Sequence, residues 1–181
     1  MTRLAETTVN RTPQETYTSV KGLLAQSKSR IVDEEAPHKI SAVQGSLWGT
    51  TAKNAQKTVT FSLQEDASGT RVACKSVLTS GYMALTAVGI VFSVALMIIC
   101  VWMALDLQAY ASSGAAGFWG WLAQAQGSFS PNIVVLFSRL CWFLTAFLVA
   151  TLLVEGAIVV RVKTKIDAFA EEIFKTLALQ T

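Results

Sequence analysis

The chain has 181 residues, of which 52% are hydrophobic and only 15% are charged. Soluble domains usually carry about 25% charged residues, so this composition excludes intrinsic disorder. Together with a mean hydropathy of +0.44, it suggests that part of the chain lies in lipid. The net charge of +3 is too small to indicate a nucleic-acid partner.

The first predicted elements are a strand and a capped helix. Residues 4–10 supply the strand. The segment after it matches a capping box, in which Thr12 accepts the amide of Glu15 and Glu15 reaches back to the amide of Thr12. Apolar side chains then recur at helical spacing, at Tyr17, Val20, Leu23 and Leu24. These signals predict an amphipathic helix of about 14 residues.

A β-hairpin is predicted next. In residues 56–64 three apolar side chains alternate with polar ones, namely Val59, Phe61 and Leu63. Residues 71–78 alternate in the same way after a turn that ends at Gly69. Such a pair predicts two antiparallel strands with one buried face and one wet face.

The N-terminal part is therefore predicted to be an α+β module. Residues 39–47 add a further strand, which gives the order β-α-β-β-β over residues 1–80. This order predicts two layers, an antiparallel sheet with a helix across one face. We expect the module to be cytoplasmic, because basic residues lie next to the predicted membrane spans on its side.

The first predicted membrane span covers residues 81–106. No charged residue lies between Lys75 and Asp106. At about 1.5 Å per residue, the apolar run from Tyr82 to Leu105 is long enough to cross a hydrocarbon core of about 30 Å.

A loop and a second span follow. Within the loop 107–131, the aromatic segment that begins at Gly117 predicts a short helix with its rings at headgroup level. The apolar run from Leu140 to Val160 contains one charge, Glu155. We predict a transmembrane helix over residues 132–160, in which the part up to Arg139 extends outward from the membrane.

The basic residues predict the orientation of these spans. Arg71 and Lys75 precede the first span, and Arg161, Lys163 and Lys165 follow the second. The connecting loop contains no lysine or arginine before Arg139. By the positive-inside rule, we expect a multi-pass protein of the cell membrane with both termini in the cytoplasm.

The C-terminal residues 161–181 predict a second amphipathic helix. One stripe of it is apolar and is formed by Ile166, Phe169, Ala170, Ile173, Phe174 and Leu177. Because both spans return the chain to one side, this helix can dock on the sheet of residues 1–80. The transmembrane hairpin would then be an insertion within one fold.

This order of strand, capped helix, antiparallel strands and long final helix resembles an abbreviated helix-grip domain of the START-like (SRPBCC) superfamily. The stretch from Ala36 to Gly81 is also similar to small prokaryotic, largely archaeal, membrane proteins of unknown function that pair such a half-domain with two spans. The resemblance implies an apolar ligand or lipid between the sheet and the last helix. The side chains that it places there are Val59, Phe61, Leu63, Phe169 and Ile173.

A loop near the third strand is a candidate contact with lipid headgroups. It contains Trp48, Lys53 and Lys57 but lacks the spacing of a phosphate-binding loop. One interpretation is a strand end and hairpin loop. The other is that these three side chains touch anionic headgroups at the inner leaflet.

Small and charged residues in the spans form two further candidate sites. Gly89 with Ser93, and Ala146 with Ala150, are small-xxx-small pairs that would pack the hairpin against itself or serve an oligomer. Glu155 is either an interfacial or helix-bonded carboxylate or a proton or cation relay. Arg139 lies roughly 24 Å away along the same helix, so it cannot partner Glu155 and is expected to reach back to the interface.

Residue types that carry catalysis are sparse. His38 is the only histidine and lies in a polar turn, which excludes a catalytic triad or a histidine metal site built around it. The acids at positions 33–35 point to different faces and lack further ligands. Cys74, Cys100 and Cys141 match neither a zinc nor a disulfide pattern. We therefore expect no enzyme activity, no metal and no cofactor.

Three functional hypotheses follow from the sequence. The first is a non-enzymatic accessory or assembly subunit of a larger membrane complex. The second is a lipid or apolar-ligand binding module tethered to the membrane. The third is a small oligomeric channel or transporter that uses Glu155. The expected partners are membrane lipid and either copies of the same chain or other membrane subunits, with no nucleic acid.

Overall fold

The computed structural model describes residues 4–114, 117–125 and 131–179. The chain forms two compact units, which we call the α+β unit and the helical unit. The α+β unit combines Met1–Leu85 with Ala157–Thr181, and the helical unit is Thr86–Gly156. The last strands and the C-terminal helix therefore belong to one unit although the whole helical unit lies between them in sequence.

A five-stranded antiparallel sheet forms one layer of the α+β unit. Its spatial order is β1-β5-β4-β3-β2, so the first two strands lie at opposite edges. The elements before the helical unit are β1 (Leu4–Val9), α1 (Pro13–Gln26), β2 (Arg30–Glu35), β3 (Lys39–Gln44), β4 (Lys57–Asp66) and β5 (Gly69–Leu78). The predicted hairpin of β4 and β5 is confirmed, with Phe61 opposite Cys74.

Strand β2 corrects the predicted β-α-β-β-β order. It pairs with β3 in an antiparallel arrangement that contains one irregularity, between Ile31 and Asp33. All side chains of β2 except Ile31 are exposed, so the strand has no alternation of apolar and polar residues from which it could be predicted. The observed order is β-α-β-β-β-β, completed by a C-terminal helix.

Helix α1 begins where the capping box predicts. The Thr12 hydroxyl accepts the Glu15 amide at 3.3 Å, and the Glu15 carboxylate accepts the Thr12 amide at 3.1 Å. Tyr17, Val20 and Leu24 are buried as expected, whereas Leu23 is only partly buried. The helix therefore presents its apolar stripe to the sheet.

The C-terminal helix α5 spans Ala168–Leu179 and packs in the core of the α+β unit. Its buried residues are Phe169, Ala170, Ile173 and Leu177. The predicted stripe is wrong at Ile166, which lies in the turn before α5 because the preceding helix continues to Thr164. Phe174 is partly buried, and its ring lies edge-on to Phe61 at 6.2 Å between centroids.

The helical unit contains two long apolar helices and a short one. These are α2 (Ser80–Ser113), α3 (Phe118–Ala125) and α4 (Pro131–Thr164), of which the ends of α2 and α4 belong to the α+β unit. Both long helices are long and apolar enough to cross a membrane, since a stretch of 18 residues in each reaches a mean hydropathy of 2.7 and 2.3, respectively. They extend beyond the predicted spans, to Ser113 and Thr164. The part of the predicted loop at 126–130 lies outside the described residues.

A carboxylate on α2 positions α3. The Asp106 Oδ2 accepts the backbone amides of Trp119 and Gly120 at 2.6 and 3.1 Å. Such a carboxylate binds the otherwise unpaired amides at a helix N-terminus and is favoured by the helix dipole. Trp102 stacks on Phe118 at 5.8 Å, which adds an aromatic contact between the two helices.

We expect Ile173→Ala to lower the free energy of unfolding of the α+β unit by about 2–5 kcal/mol, because it opens a cavity where α5 meets the sheet. The measurement is denaturant unfolding of the full-length protein in detergent, followed by circular dichroism. Lys175→Ala is the matched control, since Lys175 is exposed on the same helix. A loss no larger than that of Lys175→Ala would contradict the core position of Ile173.

Candidate functional site

The side chains expected to line a ligand form a packed core. Val59, Phe61 and Leu63 point from β4 toward the helices, and they are at most 1% exposed. Phe169 and Ile173 of α5 lie in the same buried cluster, which also contains residues of α1, β3 and β5. Protein interiors of this kind are close-packed. A ligand between the sheet and α5 would have to displace these side chains from one another.

Lys57 is buried at the end of this core, which corrects its prediction as a headgroup contact. It is 0% exposed and is one of the largest fully buried side chains among the described residues. Position 57 has the same parity along β4 as Val59 and Phe61, so its side chain points to the helix-facing side of the sheet. The alternation of buried residues at Val59, Phe61 and Leu63, extended by two residues toward the N-terminus of β4, predicts that Lys57 is buried as well.

Carbonyl groups from two distant segments bind the Lys57 ammonium. Its Nζ donates to the carbonyl of Ala52, in the loop before β4, and to that of Ile166 at 3.2 Å. It also lies 5.5 Å from the centroid of the Phe169 ring. A buried charge requires such partners. Lys57 therefore joins the loop before β4 to the turn before α5.

Burial changes the titration of groups at this site. Burial lowers the pKa of Lys57 to about 8, against the opposing attraction of Asp167. The Asp167 Oδ1 is itself buried and has no hydrogen-bond partner among the described residues. Burial also raises the pKa of the Cys74 thiol to about 12. A thiol with so high a pKa is a poor nucleophile.

Trp48 lies on the loop between β3 and β4 and is 80% exposed. This loop turns tightly at Gly49, where a Cβ would lie 2.0 Å from the Asn54 carbonyl oxygen. The Gly49 carbonyl accepts the Tyr82 hydroxyl at 3.0 Å, and Tyr82 is in the first turn of α2. The loop therefore presents Trp48 beside the start of an apolar helix.

Lys53 is exposed but ion-paired. Its Nζ lies 2.7 Å from the carboxylate of Glu172 on α5, and both side chains are more than half exposed. An exposed pair of this kind contributes little to stability. Of the three residues predicted to touch headgroups, Trp48 is therefore exposed, Lys53 is paired with a carboxylate and Lys57 is buried.

The small residues of the long helices do not pack the hairpin as predicted. Ala146 and Ala150 are exposed, and Gly89 and Ser93 are partly buried. A Cβ at Gly89 would meet nothing within 4 Å, so no close backbone approach occurs there. The contact lies nearer α3, where the Ser138 hydroxyl donates to the Ala104 carbonyl at 2.9 Å. Use of the exposed alanines by an oligomer stays a prediction.

The two charged residues of α4 within the helical unit, Glu155 and Arg139, lie in different surroundings. Glu155 is partly buried, and its Oε2 has no hydrogen-bond partner in the described part of the chain. Arg139 is exposed and lines a groove of about 380 Å³. Neither side chain forms an ion pair within residues 4–114, 117–125 and 131–179.

The remaining acidic and metal-ligating groups are engaged or dispersed. Asp33 pairs with Lys39 at 2.6 Å, and Glu34 pairs with Lys21 at 2.9 Å. No group of three or more His, Cys, Asp or Glu side chains could hold a metal ion in the part of the chain that the structure describes. These acids therefore hold surface elements together.

Comparison with known proteins gives a weak likeness to a solved structure. No protein-family model matches the chain, and no curated protein matches its sequence. The chain is similar to the crystal structure of protein MLL2253 from Mesorhizobium loti, at 12% identity and a TM-score of 0.37. The match covers 45% of this chain and 79% of that one. This likeness is too low to carry an argument about function.

Between about pH 7 and about pH 9, we expect the thermal midpoint of the wild type to rise more than the thermal midpoint of Lys57→Met does. The pKa of Lys57 is lowered to about 8 from 10.5, so above pH 8 the unfolded chain binds more protons than the folded chain and stability rises with pH. The comparison stops near pH 9 because the raised pKa of Cys74 lowers the stability of both proteins above its ordinary value of 9.0.

The measurement is thermal unfolding of full-length protein in detergent at several pH values. Lys53→Met is the control, because it removes an exposed amine from the neighbouring loop and should keep the rise. A Lys57→Met variant that shows the same rise as the wild type would contradict a buried, titrating Lys57.

Proposed function

We propose that this protein is a non-enzymatic, double-spanning membrane protein that acts as an accessory or assembly subunit of a larger membrane complex. The observation that supports it most is that residues on both sides of the apolar hairpin build one core. Phe61 precedes α2 and Phe169 follows α4, and both lie in the same buried cluster. A chain that enters the membrane along α2 must therefore return to the side from which it left.

The charges at the ends of the helices support a cytoplasmic location for the α+β unit. Arg161 and Lys163 lie in the last turn of α4, and both are exposed. The segment between the two long helices has no lysine or arginine before Arg139. Both termini then face the cytoplasm.

The packing of the α+β unit favours an assembly role over ligand carriage. The order of strand, helix, four antiparallel strands and helix supports an abbreviated helix-grip domain. Its interior, however, is occupied by Val59, Phe61 and Ile173 packed together. Large apolar side chains are instead exposed along α2 and α4, including Phe92, Phe147 and Leu153. Such surfaces suit lipid and neighbouring transmembrane helices.

We expect full-length protein extracted in mild detergent to have a native mass that includes other polypeptides. Ala150→Phe should reduce the partner fraction, because it adds bulk to an exposed small residue on α4. Val154→Leu is the matched control, since Val154 is already large and exposed. The measurement is native mass spectrometry with lipid analysis of the same sample. A mass of this chain alone with one defined lipid would favour the binding-module alternative and overturn the assembly role.

The Trp48 loop supports a fixed position of the α+β unit at the inner leaflet. Tryptophan is enriched where headgroups meet hydrocarbon. Trp48 is exposed next to the first turn of α2, where Leu47 lies close to Gly81. We propose that the indole ring enters the headgroup layer beside the point at which α2 begins.

A spin label at Trp48→Cys should be more accessible to oxygen than to a water-soluble nickel reagent in liposomes. The control is a label at Glu65→Cys, which lies at the far end of β4 and should show the reverse. The three native cysteines are buried, which limits background labelling. Equal accessibility at the two positions would contradict the headgroup contact of Trp48.

A further inference from the structure

The end of the helical unit that carries α3 holds two opposite charges. Asp106 is satisfied, since its carboxylate accepts the amides of Trp119 and Gly120. Arg139 is not, because no carboxylate within the described residues pairs with it. An exposed guanidinium at a membrane surface can bind an anion from outside the chain.

Arg139 lines a groove between α2 and α4 that has a volume of about 380 Å³. Its wall combines an amide, hydroxyls, short apolar side chains and an indole, from Gln108, Ala111, Ser112, Val135, Ser138 and Trp142. The hydroxyl of Ser138 is already bound to the Ala104 carbonyl. The Ser112 hydroxyl likewise donates to the Ala109 carbonyl, at 3.2 Å. Gln108 therefore supplies the neutral donor that faces the groove with Arg139.

This combination of groups fits the phosphate of a phospholipid. Guanidinium groups bind phosphate through two parallel hydrogen bonds, which makes arginine suited to this anion. Trp142 lies three residues after Arg139, so on a helix the two side chains share a face. Beyond them α4 exposes Phe143 and Phe147, which offer apolar surface to acyl chains. The groove thus has a cationic end and an apolar continuation, as an amphiphile requires.

We propose that this groove binds an anionic phospholipid of the leaflet next to α3, with its phosphate on the Arg139 guanidinium. The proposal rests on the double-spanning arrangement proposed above. Trp142 covers the glycerol region, and Gln108 donates to a phosphate or ester oxygen. The bound lipid joins α2 to α4 at the end where the Ser138 hydroxyl donates to the Ala104 carbonyl.

The test uses full-length protein in detergent with dioleoyl phosphatidylglycerol, followed by native mass spectrometry. We expect one tightly retained lipid per chain, and a loss of affinity of about tenfold in Arg139→Gln, because a charged hydrogen-bonding partner is removed. Arg161→Gln is the matched control, since it removes a guanidinium from the other end of α4 and should bind as the wild type does. Equal retention by Arg139→Gln would overturn the proposal, as would an equal loss in Arg161→Gln.

Two further probes identify the ligand chemistry. Dioleoylglycerol has the same acyl chains without phosphate and should be retained weakly, so equal retention would overturn the role of the phosphate. Inorganic phosphate should not displace the lipid, and displacement at millimolar concentration would show a free-anion site instead. Thermal unfolding of Arg139→Gln without lipid should match that of the wild type without lipid, which separates lost binding from lost folding.

A separate measurement distinguishes failure of the groove from failure of the proposed function. Membranes that contain the protein are washed with alkaline carbonate, which releases peripheral proteins. If the protein stays in the membrane and Arg139→Gln binds the lipid as the wild type does, the groove proposal alone is overturned. Release by the wash overturns the double-spanning arrangement and, with it, the basis of the lipid site.

Discussion

The α+β unit depends on the burial of α5 against a sheet that was completed earlier in the chain. Phe169, Ile173 and Leu177 are almost wholly buried, and each such side chain contributes roughly 1.5–3 kcal/mol by leaving water. Their sum is comparable to the whole stability of a typical domain, about 5–15 kcal/mol. The sheet therefore cannot be stable without a segment that follows the apolar hairpin. This coupling makes residues 86–156 an insertion in a fold rather than an appended anchor.

Lys57 reinforces the same connection by different physics. Its ammonium donates to backbone carbonyls of two segments. One of these carbonyls belongs to Ile166, which lies 109 positions after Lys57 in the sequence. Burial of the charge is unfavourable, and the carbonyls, the Phe169 ring and Asp167 offset part of that cost. Removal of any one partner leaves the charge less compensated. Such a group stabilises one arrangement of loop and turn over all others, in a way that packing of apolar side chains does not.

Local signals predicted most of the elements, and long-range contacts account for the errors. The capping box of α1 and the alternation around Phe61 were readable because each reports on its own neighbours in sequence. Strand β2 gives no such local signal, because the side chains of this exposed edge strand do not alternate between apolar and polar. Lys57 was assigned to the surface because its partner Ile166 lies beyond both long helices. Ala146 was assigned to a helix contact because small-residue spacing does not specify which face meets the neighbour.

The order of the elements also determines when the core can close during synthesis. The sheet is complete at Leu78, but α5 begins only at Ala168. At about 5–20 residues per second, ribosomes need roughly 5–20 s for the intervening stretch. During that time the apolar face around Val59 is covered by α1 alone, and it is a natural substrate for chaperones.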